Sequence, residues 1–296
     1  MTVRFWSTLL LVAVGTRLPA QQFSMSLGLN TGITSTYSVD KGIDNDPRYK
    51  QYYHVKFAPI GLHFGVNYEF IGFVVSPTIT NIGQNSYVVN TSGGQNGTRE
   101  SNLKYLNVPV AFKVHLINLA FLKVSGVASL SGAFLLDGSE TVSHSETKLE
   151  FPKSVYPILP PDYTVDYDGV AVPAVDNYVI TEKKDFKPVQ VFAALGFQSD
   201  WDVSNHWRVI FDFRVNYGLF DPRTDEYLAK VNANQTLYDI PGDRHDMFVQ
   251  LSVGIARYIE FEKSDQERKK KLKGTSRQYM PTKYPYKTRK RKQPGG

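Results

Sequence analysis

Hydrophobic and polar residues alternate along most of this chain. From Phe23 onward, apolar side chains fall at every second position, and small residues such as Ser24 and Gly28 fall between them. Successive side chains of a β-strand point to opposite faces of a sheet, so a period of two predicts strands rather than helices. The pattern recurs in eight runs, which span residues 23–33, 60–70, 73–82, 106–114, 121–136, 189–201, 207–217 and 247–261.

The connections between these runs alternate in length. Short turns follow the second, fourth and sixth runs, whereas the other connections are long, and the fifth covers about residues 137–187. Outer-membrane barrels have short turns on the periplasmic rim and longer loops outside, and an even number of strands brings both termini to the periplasm. Strands of about 10 residues are long enough to span a bilayer. The connections therefore favour a membrane barrel with both termini in the periplasm.

Two arrangements are possible for eight such strands. A soluble barrel or sandwich would bury the apolar faces and turn the polar faces to water. Here the polar faces are rich in Gly, Ser, Ala and Asn, which fit a narrow interior, whereas the apolar faces carry bulky Phe, Leu, Trp and Tyr that could not fill one together. We therefore expect an all-β protein in which residues 21–261 form an eight-stranded antiparallel transmembrane β-barrel with long extracellular loops. Aromatic residues near the strand ends match interfacial girdles: Tyr68, Phe70, Phe73, Trp201, Trp207, Tyr217, Tyr258 and Phe261.

Residues 1–20 match a secretory signal peptide. Arg4 precedes an apolar run from Phe5 to Gly15, and Ala20 supplies the small residue at the cleavage position. A buried first helix is the alternative, but no helical pattern continues it. No later stretch reaches the roughly 18 consecutive apolar residues of a spanning helix. The sequence therefore predicts an exported protein located in the outer membrane.

The net charge of +6 is unevenly distributed. Residues 262–296 hold 13 Lys and Arg against three acidic residues, a balance of +10, whereas residues 21–261 carry −6. This composition predicts a disordered basic tail in the periplasm, where it would contact peptidoglycan, anionic lipid or a periplasmic or secretion protein; a solvated tail is the alternative. Export argues against nucleic acid as a partner. The tail residues expected to make the contact are Lys269, Lys270, Lys271, Arg289, Lys290, Arg291 and Lys292.

Charged residues also occur on the faces assigned to the barrel interior. An isolated buried charge is costly, so opposite charges in a narrow interior should pair. We expect a salt-bridged plug rather than an open pore. The predicted cluster comprises Glu69, Lys113, Lys123, Asp200, Arg208, Asp212, Arg214 and Glu260.

Residues capable of catalysis or metal binding are scattered. The chain has no cysteine, which excludes disulfides, thiolate zinc sites and thiol catalysis, and its six histidines have no zinc-motif spacing. We expect no enzyme activity and no cofactor. Histidines near the outer rim, with serines and aspartates beside them, leave an outer-membrane hydrolase or acyltransferase as an alternative: His54, His144, His245, Ser143, Ser145, Asp243 and Asp246. Two acidic sets leave calcium binding as an alternative to solvated loops: Asp40, Asp44 and Asp46, and Asp162, Asp166 and Asp168.

Four stretches resemble the PorT-like outer-membrane β-barrel family of Bacteroidota over roughly residues 23–261. They are Gly65-Val-Asn-Tyr-Glu-Phe70, Tyr105-Leu-Asn-Val-Pro-Val110, Arg214-Val-Asn-Tyr-Gly-Leu219 and the closing strand from Phe248 to Gly254. The resemblance implies a barrel fold and a link to type IX secretion. The long connection after the fifth run and the basic tail depart from the usual member, and the tail leaves the expected C-terminal aromatic, Phe261, internal.

Two functions follow from these observations. The first is a non-enzymatic barrel that anchors or assists a cell-surface or secretion assembly and uses its basic tail for contact. The second is a surface ligand-binding or adhesion barrel that uses its third outer loop, at about residues 137–187. In both, outer-membrane lipid surrounds the barrel.

Overall fold

The computed structural model describes residues 23–119, 121–151, 163–204, 206–233 and 236–261. The predicted signal peptide and the basic tail with its contact residues lie outside this described part.

Strands make up most of the described chain, and short helices lie in the connections. Among the described residues, no helix has the length and apolar character needed to cross a membrane. The strands are β1 (Phe23–Asp40), β2 (Tyr49–Tyr52), β3 (Val55–Tyr68), β4 (Ile71–Val75), β5 (Thr78–Ile82), β6 (Asn85–Val89), β7 (Gln95–Asn118), β8 (Leu122–His144), β9 (Thr147–Leu149), β10 (Thr164–Asp166), β11 (Gly169–Val172), β12 (Val175–Glu182), β13 (Val189–Asp202), β14 (Trp207–Gly218) and β15 (Arg244–Phe261). The helices are α1 (Lys41–Asp44), a 3-10 turn (Lys183–Asp185) and α2 (Asp225–Ala233).

Hydrogen-bonded pairing joins the long strands into a ring. In the described part of the chain, the order of neighbours is β8, β13, β14, β15, β1, β3, β4 and β7, and β7 pairs again with β8. Strands β5 and β6 follow β4 along the same edge of β7. A closed ring leaves no free sheet edge at the level where it closes. The predicted all-β antiparallel barrel is therefore confirmed.

The third predicted run, 73–82, is not one strand. It divides into β4 and β5 at Ser76-Pro77, and the Pro77 carbonyl accepts a hydrogen bond from the Leu62 amide (2.8 Å). Proline has no N–H to donate to a sheet, so strand pairing is interrupted there. The sequence pattern does not reveal this break, because inward and outward side chains continue to alternate across it.

The long connections were expected to be loops, and this expectation is wrong for much of them. Strands β7 and β8 pair as far as Gly97 and His144, well beyond the predicted run, and β9 to β12 lie inside the fifth connection. Their outward side chains are polar because they do not face lipid. The apolar alternation therefore stops while the strands continue.

The side chains divide as a membrane barrel requires. Leu27, Leu130 and Leu195 point outward and are exposed, whereas Ser26 and Ser129 point inward and are buried. A soluble barrel would have the reverse arrangement. The apolar outer band ends at the pair Lys104 and Asp137, since both of these side chains are exposed.

Beyond the apolar band the chain builds a second folded layer, which we call the cap. It comprises the described residues of 36–54, 83–103, 138–187 and 219–246. A buried hydrophobic cluster lies between its walls, so the cap is packed and is not a set of separate loops. The cluster consists of Ile43, Tyr49, Val88, Val142, Leu149, Val170, Val172, Leu237, Tyr238 and Ile240.

Candidate functional site

A buried charge network lies at the level of the apolar band. The Lys113 Nζ is 3.2 Å from the Asp200 Oδ2, and the Arg208 Nη1 is 3.7 Å from the same oxygen. The Arg208 Nε also donates to the Asp202 Oδ1 at 2.6 Å. The side chains of Lys113, Asp200 and Arg208 are each 1% exposed. Three strands, β7, β13 and β14, bring these groups together across the interior.

A second pair lies beside a small cavity in the interior. The Arg214 Nη2 is 2.6 Å from the Asp212 Oδ2, and both residues line a cavity of about 20 Å³ together with His63 and Asn30. This volume holds about one water molecule. The interior is therefore filled by side chains at this level.

The remaining predicted interior residues are placed differently from one another. Glu69 is half-buried in a left-handed turn (φ 50°) between β3 and β4. Lys123 is half-buried near the start of β8, where it pairs directly with Asp200 of β13. Glu260 belongs to β15, but its side chain is outside the described part. The structure thus places six of the eight predicted residues in these two pairs or directly beside them.

A larger charge network lies in the cap. The Arg99 Nε donates to the Glu140 Oε1 at 2.6 Å, and the Arg244 Nη1 lies 3.8 Å from the Glu140 Oε2. The Arg244 Nε donates to the Asp246 Oδ1 at 2.9 Å, and its Nη2 donates to the Ser101 hydroxyl at 3.2 Å. All five residues are buried. Glu140 is the shared acceptor of this network.

Two copies of an Asp-Pro-Arg turn build the rest of the network. The Arg48 backbone amide and its Nε both donate to Asp46, at 3.0 and 2.9 Å. The Arg223 backbone amide and its Nε donate to Asp221 in the same way, at 2.8 and 3.1 Å. In each copy the aspartate holds one side of the guanidinium fork, and the other N–H groups are free to bind elsewhere.

Those free N–H groups bind one backbone segment, residues 237–242, which we call the clamped segment. Arg48 donates to the carbonyls of Leu237 and Asp239, and Arg99 Nη1 donates to the carbonyl of Tyr238. Arg223 donates to the carbonyls of Ile240 and Gly242. Hydrogen bonds from charged donors contribute about 1.5–3 kcal/mol each. The β14–β15 connection is thus fixed between the cap walls.

Burial and charge compete in this network. Burial raises the pKa of the Glu140 carboxyl, but the Arg99 and Arg244 guanidiniums outweigh it and hold the pKa below its ordinary value. Burial likewise opposes Arg223 at Asp221, and the arginine again prevails and lowers the pKa. At Asp40 burial prevails over Arg223 and Arg244, so its pKa is raised.

The histidines near the cap take structural hydrogen bonds. His144 bonds through Nε2 to the Tyr238 hydroxyl (2.8 Å) and through Nδ1 to the Ser145 carbonyl (2.8 Å). His245 Nδ1 bonds to the Gly218 carbonyl (3.0 Å), and its ring stacks on Tyr217. The Ser143 hydroxyl donates to Asp176 rather than to a histidine. These contacts do not form a Ser-His-Asp arrangement.

Several of the acidic residues considered as alternative calcium ligands form ion pairs or accept backbone hydrogen bonds instead. Lys148 Nζ lies 2.8 Å from Asp166 and 3.1 Å from Asp168, Asp46 holds Arg48, and Asp40 accepts two backbone N–H groups. Asp162 is outside the described residues. Within the described part, no three His, Asp or Glu side chains group in a way that could hold a metal ion.

The sequence interpretation missed the cap network. It placed Arg48, Arg99, Arg223 and Arg244 in loops and gave them no role. One signal could have found two of them: Asp46-Pro47-Arg48 and Asp221-Pro222-Arg223 repeat the same tripeptide. Their common target, the clamped segment, carries no sequence signal because arginine binds its backbone carbonyls.

A closed antiparallel ring with an apolar outer face and a charged, filled interior defines a transmembrane β-barrel. The chain belongs to the outer membrane protein beta-barrel domain family, whose model matches residues 19–222. This family indicates an outer-membrane location, as the sequence predicts. A search of curated protein sequences finds no match to this chain.

Several solved outer-membrane proteins align with most of this chain at low identity. Ail, the attachment invasion locus protein of Yersinia pestis, aligns with 9% identity and a TM-score of 0.31, covering 81% of this chain and 99% of Ail. The outer membrane protease OmpT from Escherichia coli aligns with 10% identity and a TM-score of 0.34, covering 81% of this chain and 97% of OmpT. Neisserial surface protein A aligns with 6% identity and a TM-score of 0.31, covering 79% of this chain and 96% of that protein.

Proposed function

We propose that this protein is a non-enzymatic, non-conducting outer-membrane barrel that presents its cap outside the cell to recognise a ligand or another surface. The observation that carries this proposal is the clamped segment, which three arginines fix inside a cap with its own hydrophobic core. A rigid cap loses little conformational entropy on binding, so it suits recognition. The proposal includes periplasmic termini, with the short turns on the same side.

The filled interior supports a barrel that does not conduct. At the level of the apolar band, Lys113, Asp200 and Arg208 are buried in ion pairs. The cavity beside Arg214 accommodates about one water molecule. An ion would have to displace paired charges in order to pass, and leaving a buried charge unpaired is costly.

The hydrogen bonds of His144 argue against its use as a general base. The two nitrogens of His144 bond to Tyr238 and to a backbone carbonyl, so the ring does not activate a serine hydroxyl. A histidine general base needs a free nitrogen within hydrogen-bond reach of its nucleophile.

The test removes most of β9 together with β10 and β11, including the core residues Leu149 and Val170, and leaves β7, β8 and β12 in place. Thr147 and Val172 are paired, so a short turn can replace residues 148–171 without separating β8 from β12. We expect cells that carry this variant to lose binding to immobilised matrix and glycan panels, while the barrel still folds and inserts. A tag inserted after Tyr167, which is fully exposed, should be accessible to antibody on intact cells. Binding that survives the deletion, or a tag that is hidden, would overturn the proposal.

A second candidate function is an envelope anchor, which the charge of +10 in residues 262–296 favours. Basic segments gain about 1 kcal/mol per Lys or Arg near an anionic surface, so the tail could hold peptidoglycan, anionic lipid or a secretion protein. A link to type IX secretion rests on the resemblance to the PorT-like family. The test is affinity purification from envelopes with the natural tail and with its seven contact residues changed to Gln. Equal recovery of partners and unchanged secretion would exclude the anchor.

A further inference from the structure

One face of the cap combines aromatic and polar side chains on the outside of the wall. We call it the outer wall face and define it by Lys50, Tyr52, Asn85, Tyr87, Thr98 and Glu100. In β2 and β6, Lys50 pairs with Tyr87 and Tyr52 pairs with Asn85. In β6 and β7, Tyr87 pairs with Thr98 and Asn85 pairs with Glu100. Directly paired residues point to the same side of a sheet, so the six side chains share one face.

The orientation of this face follows from the residues on the other side of β2 and β6. Tyr49 and Val88, which are paired and lie on the other side of β2 and β6, belong to the buried core of the cap. The outer wall face therefore points away from the cap interior. Along β7 it continues upward from Lys104, where the apolar band ends. The face thus looks sideways along the membrane, directly above the lipid-facing band.

Two of the six residues of this face are tyrosines whose rings are in contact. The rings of Tyr52 and Tyr87 stack with centroids 4.3 Å apart and planes inclined by 22°. Outside this face, Tyr37 and Tyr53 form a second ring pair at 5.9 Å, and Tyr53 is 77% exposed. The Asn85 amide donates to the Tyr52 hydroxyl at 3.4 Å. Its Oδ1 is buried and has no hydrogen-bond partner within the described chain, although Asn85 is only 5% exposed.

This chemistry matches a sugar. A sugar ring has an apolar C–H face and a rim of hydroxyl groups, so it binds where aromatic rings lie beside amide, hydroxyl and carboxylate groups. The six residues carry one cation, Lys50, and one anion, Glu100, and the next cation, Lys104, lies at the edge of the apolar band. Binding of phosphate groups favours clusters of Lys and Arg instead. The composition therefore favours an uncharged, hydroxyl-rich ligand.

We propose that the outer wall face binds the polysaccharide of the lipopolysaccharide molecules that stand beside the barrel. This proposal rests on the orientation in the proposed function, with the cap outside the cell. The face points along the membrane and is continuous with the lipid-facing band. A sugar chain that is anchored in the same membrane therefore fits this position better than a free sugar does. Tyrosine is enriched where apolar and wet surroundings meet, which agrees with this position.

The experiment uses the full chain in lipid bilayers and two probes: lipopolysaccharide with its complete polysaccharide, and lipid A that lacks that chain. Loss of two aromatic contacts worth about 0.5–1.5 kcal/mol each corresponds to roughly five- to 150-fold in affinity. We expect the natural protein to bind the complete form more tightly than lipid A by a factor in this range. The variant Tyr52→Ala/Tyr87→Ala should bind both equally. The control Tyr167→Ala, which removes an exposed tyrosine elsewhere on the cap, should keep the preference.

Three results would overturn the inference: equal binding of the two probes by the natural protein, an unchanged preference in the double variant, or polysaccharide released from its lipid binding as tightly as the complete form. A heat-modifiability gel establishes that each variant is a folded barrel before binding is measured. Failure here leaves the cell-surface binding test of the cap unaffected, because that test deletes residues 148–171 and retains β2, β6 and β7. Conversely, a tag hidden after Tyr167 would show that the orientation itself is wrong.

Discussion

The Nε of Arg99 donates a hydrogen bond to the Glu140 Oε1 across the β7–β8 pair, while the Arg99 Nη1 donates to the backbone carbonyl of Tyr238. One guanidinium thus joins two strands of the cap wall to a segment 139 positions further along the chain. Glu140 also faces Arg244 at 3.8 Å. The cap is therefore held by a few buried ionic contacts between distant parts of the sequence.

Replacing Glu140 by Gln should destabilise the cap strongly. Removing one partner of a buried ion pair costs about 3–5 kcal/mol because the other charges remain buried. Here Arg99 and Arg244 would lose their shared carboxylate. The free energy of unfolding, measured in denaturant with the protein in bilayers, should fall by about this amount. The matched control Lys184→Gln breaks an exposed pair with Glu182 and should have no measurable effect. Equal stability of Glu140→Gln and the natural protein would contradict the assigned role.

Acid should weaken the cap. The pKa values of Glu140 and Asp221 are held below their ordinary values, which are 4.5 and 3.8. The unfolded chain therefore binds more protons in this range, so the stabilisation is present above the ordinary values and is lost as the pH falls through the lowered ones. Cap unfolding measured against pH should show this loss. In Glu140→Gln the dependence should be smaller, and an identical profile would disprove the assignment to Glu140.

The arginine forks of the clamp should not tolerate lysine. Lysine keeps the charge but has no planar fork, so it cannot hold an aspartate and a carbonyl in the same geometry. We expect Arg48→Lys and Arg223→Lys to make the clamped segment, residues 237–242, sensitive to limited proteolysis. The control Arg257→Lys changes an exposed arginine on β15 and should leave the cleavage pattern unchanged. Resistance of the first two variants would show that charge alone holds the segment.

The barrel should not conduct ions, even with a loosened cap. The network of Lys113, Asp200 and Arg208 lies in the interior below the cap and does not depend on Arg48 or Arg223. Planar bilayers that contain the natural protein or Arg48→Lys/Arg223→Lys should therefore show no steady current. Large stable currents in the natural protein would refute the filled interior. Currents confined to the variant would show that the cap itself is the barrier.

Two glycines should respond oppositely to substitution by alanine. A Cβ added at Gly28 of β1 would lie 2.1 Å from the backbone oxygen of Ile255 in β15. The backbones of β1 and β15, which are neighbours in the ring, would therefore have to move apart. At Gly132 of β8 it would meet nothing within 4 Å. Overpacking costs about 1–3 kcal/mol. The unfolding temperature should fall for Gly28→Ala and stay nearly constant for Gly132→Ala. Equal behaviour would contradict the contact between β1 and β15.

The spanning part of the barrel could be predicted well from the sequence. The sixth run, predicted at 189–201, corresponds to β13 at Val189–Asp202, and the seventh corresponds to β14. Each spanning strand has lipid on one side and a narrow interior on the other. These two surroundings impose opposite demands on alternate residues, so the alternation is visible in the chain itself.

The cap and its arginine clamp were decided by tertiary structure. Strands β7 and β8 continue into it, but their outward residues face no lipid, so the apolar alternation that marks a spanning strand ends at Lys104 and Asp137. Arg48 binds the carbonyl of Leu237, which is 189 positions away, and a backbone carbonyl is present at every residue. By itself the sequence therefore determined which side of each spanning strand faces lipid, because that depends on local alternation. The folded chain alone decided which distant groups meet in the cap, because ion pairs and hydrogen bonds to the backbone depend on position in space.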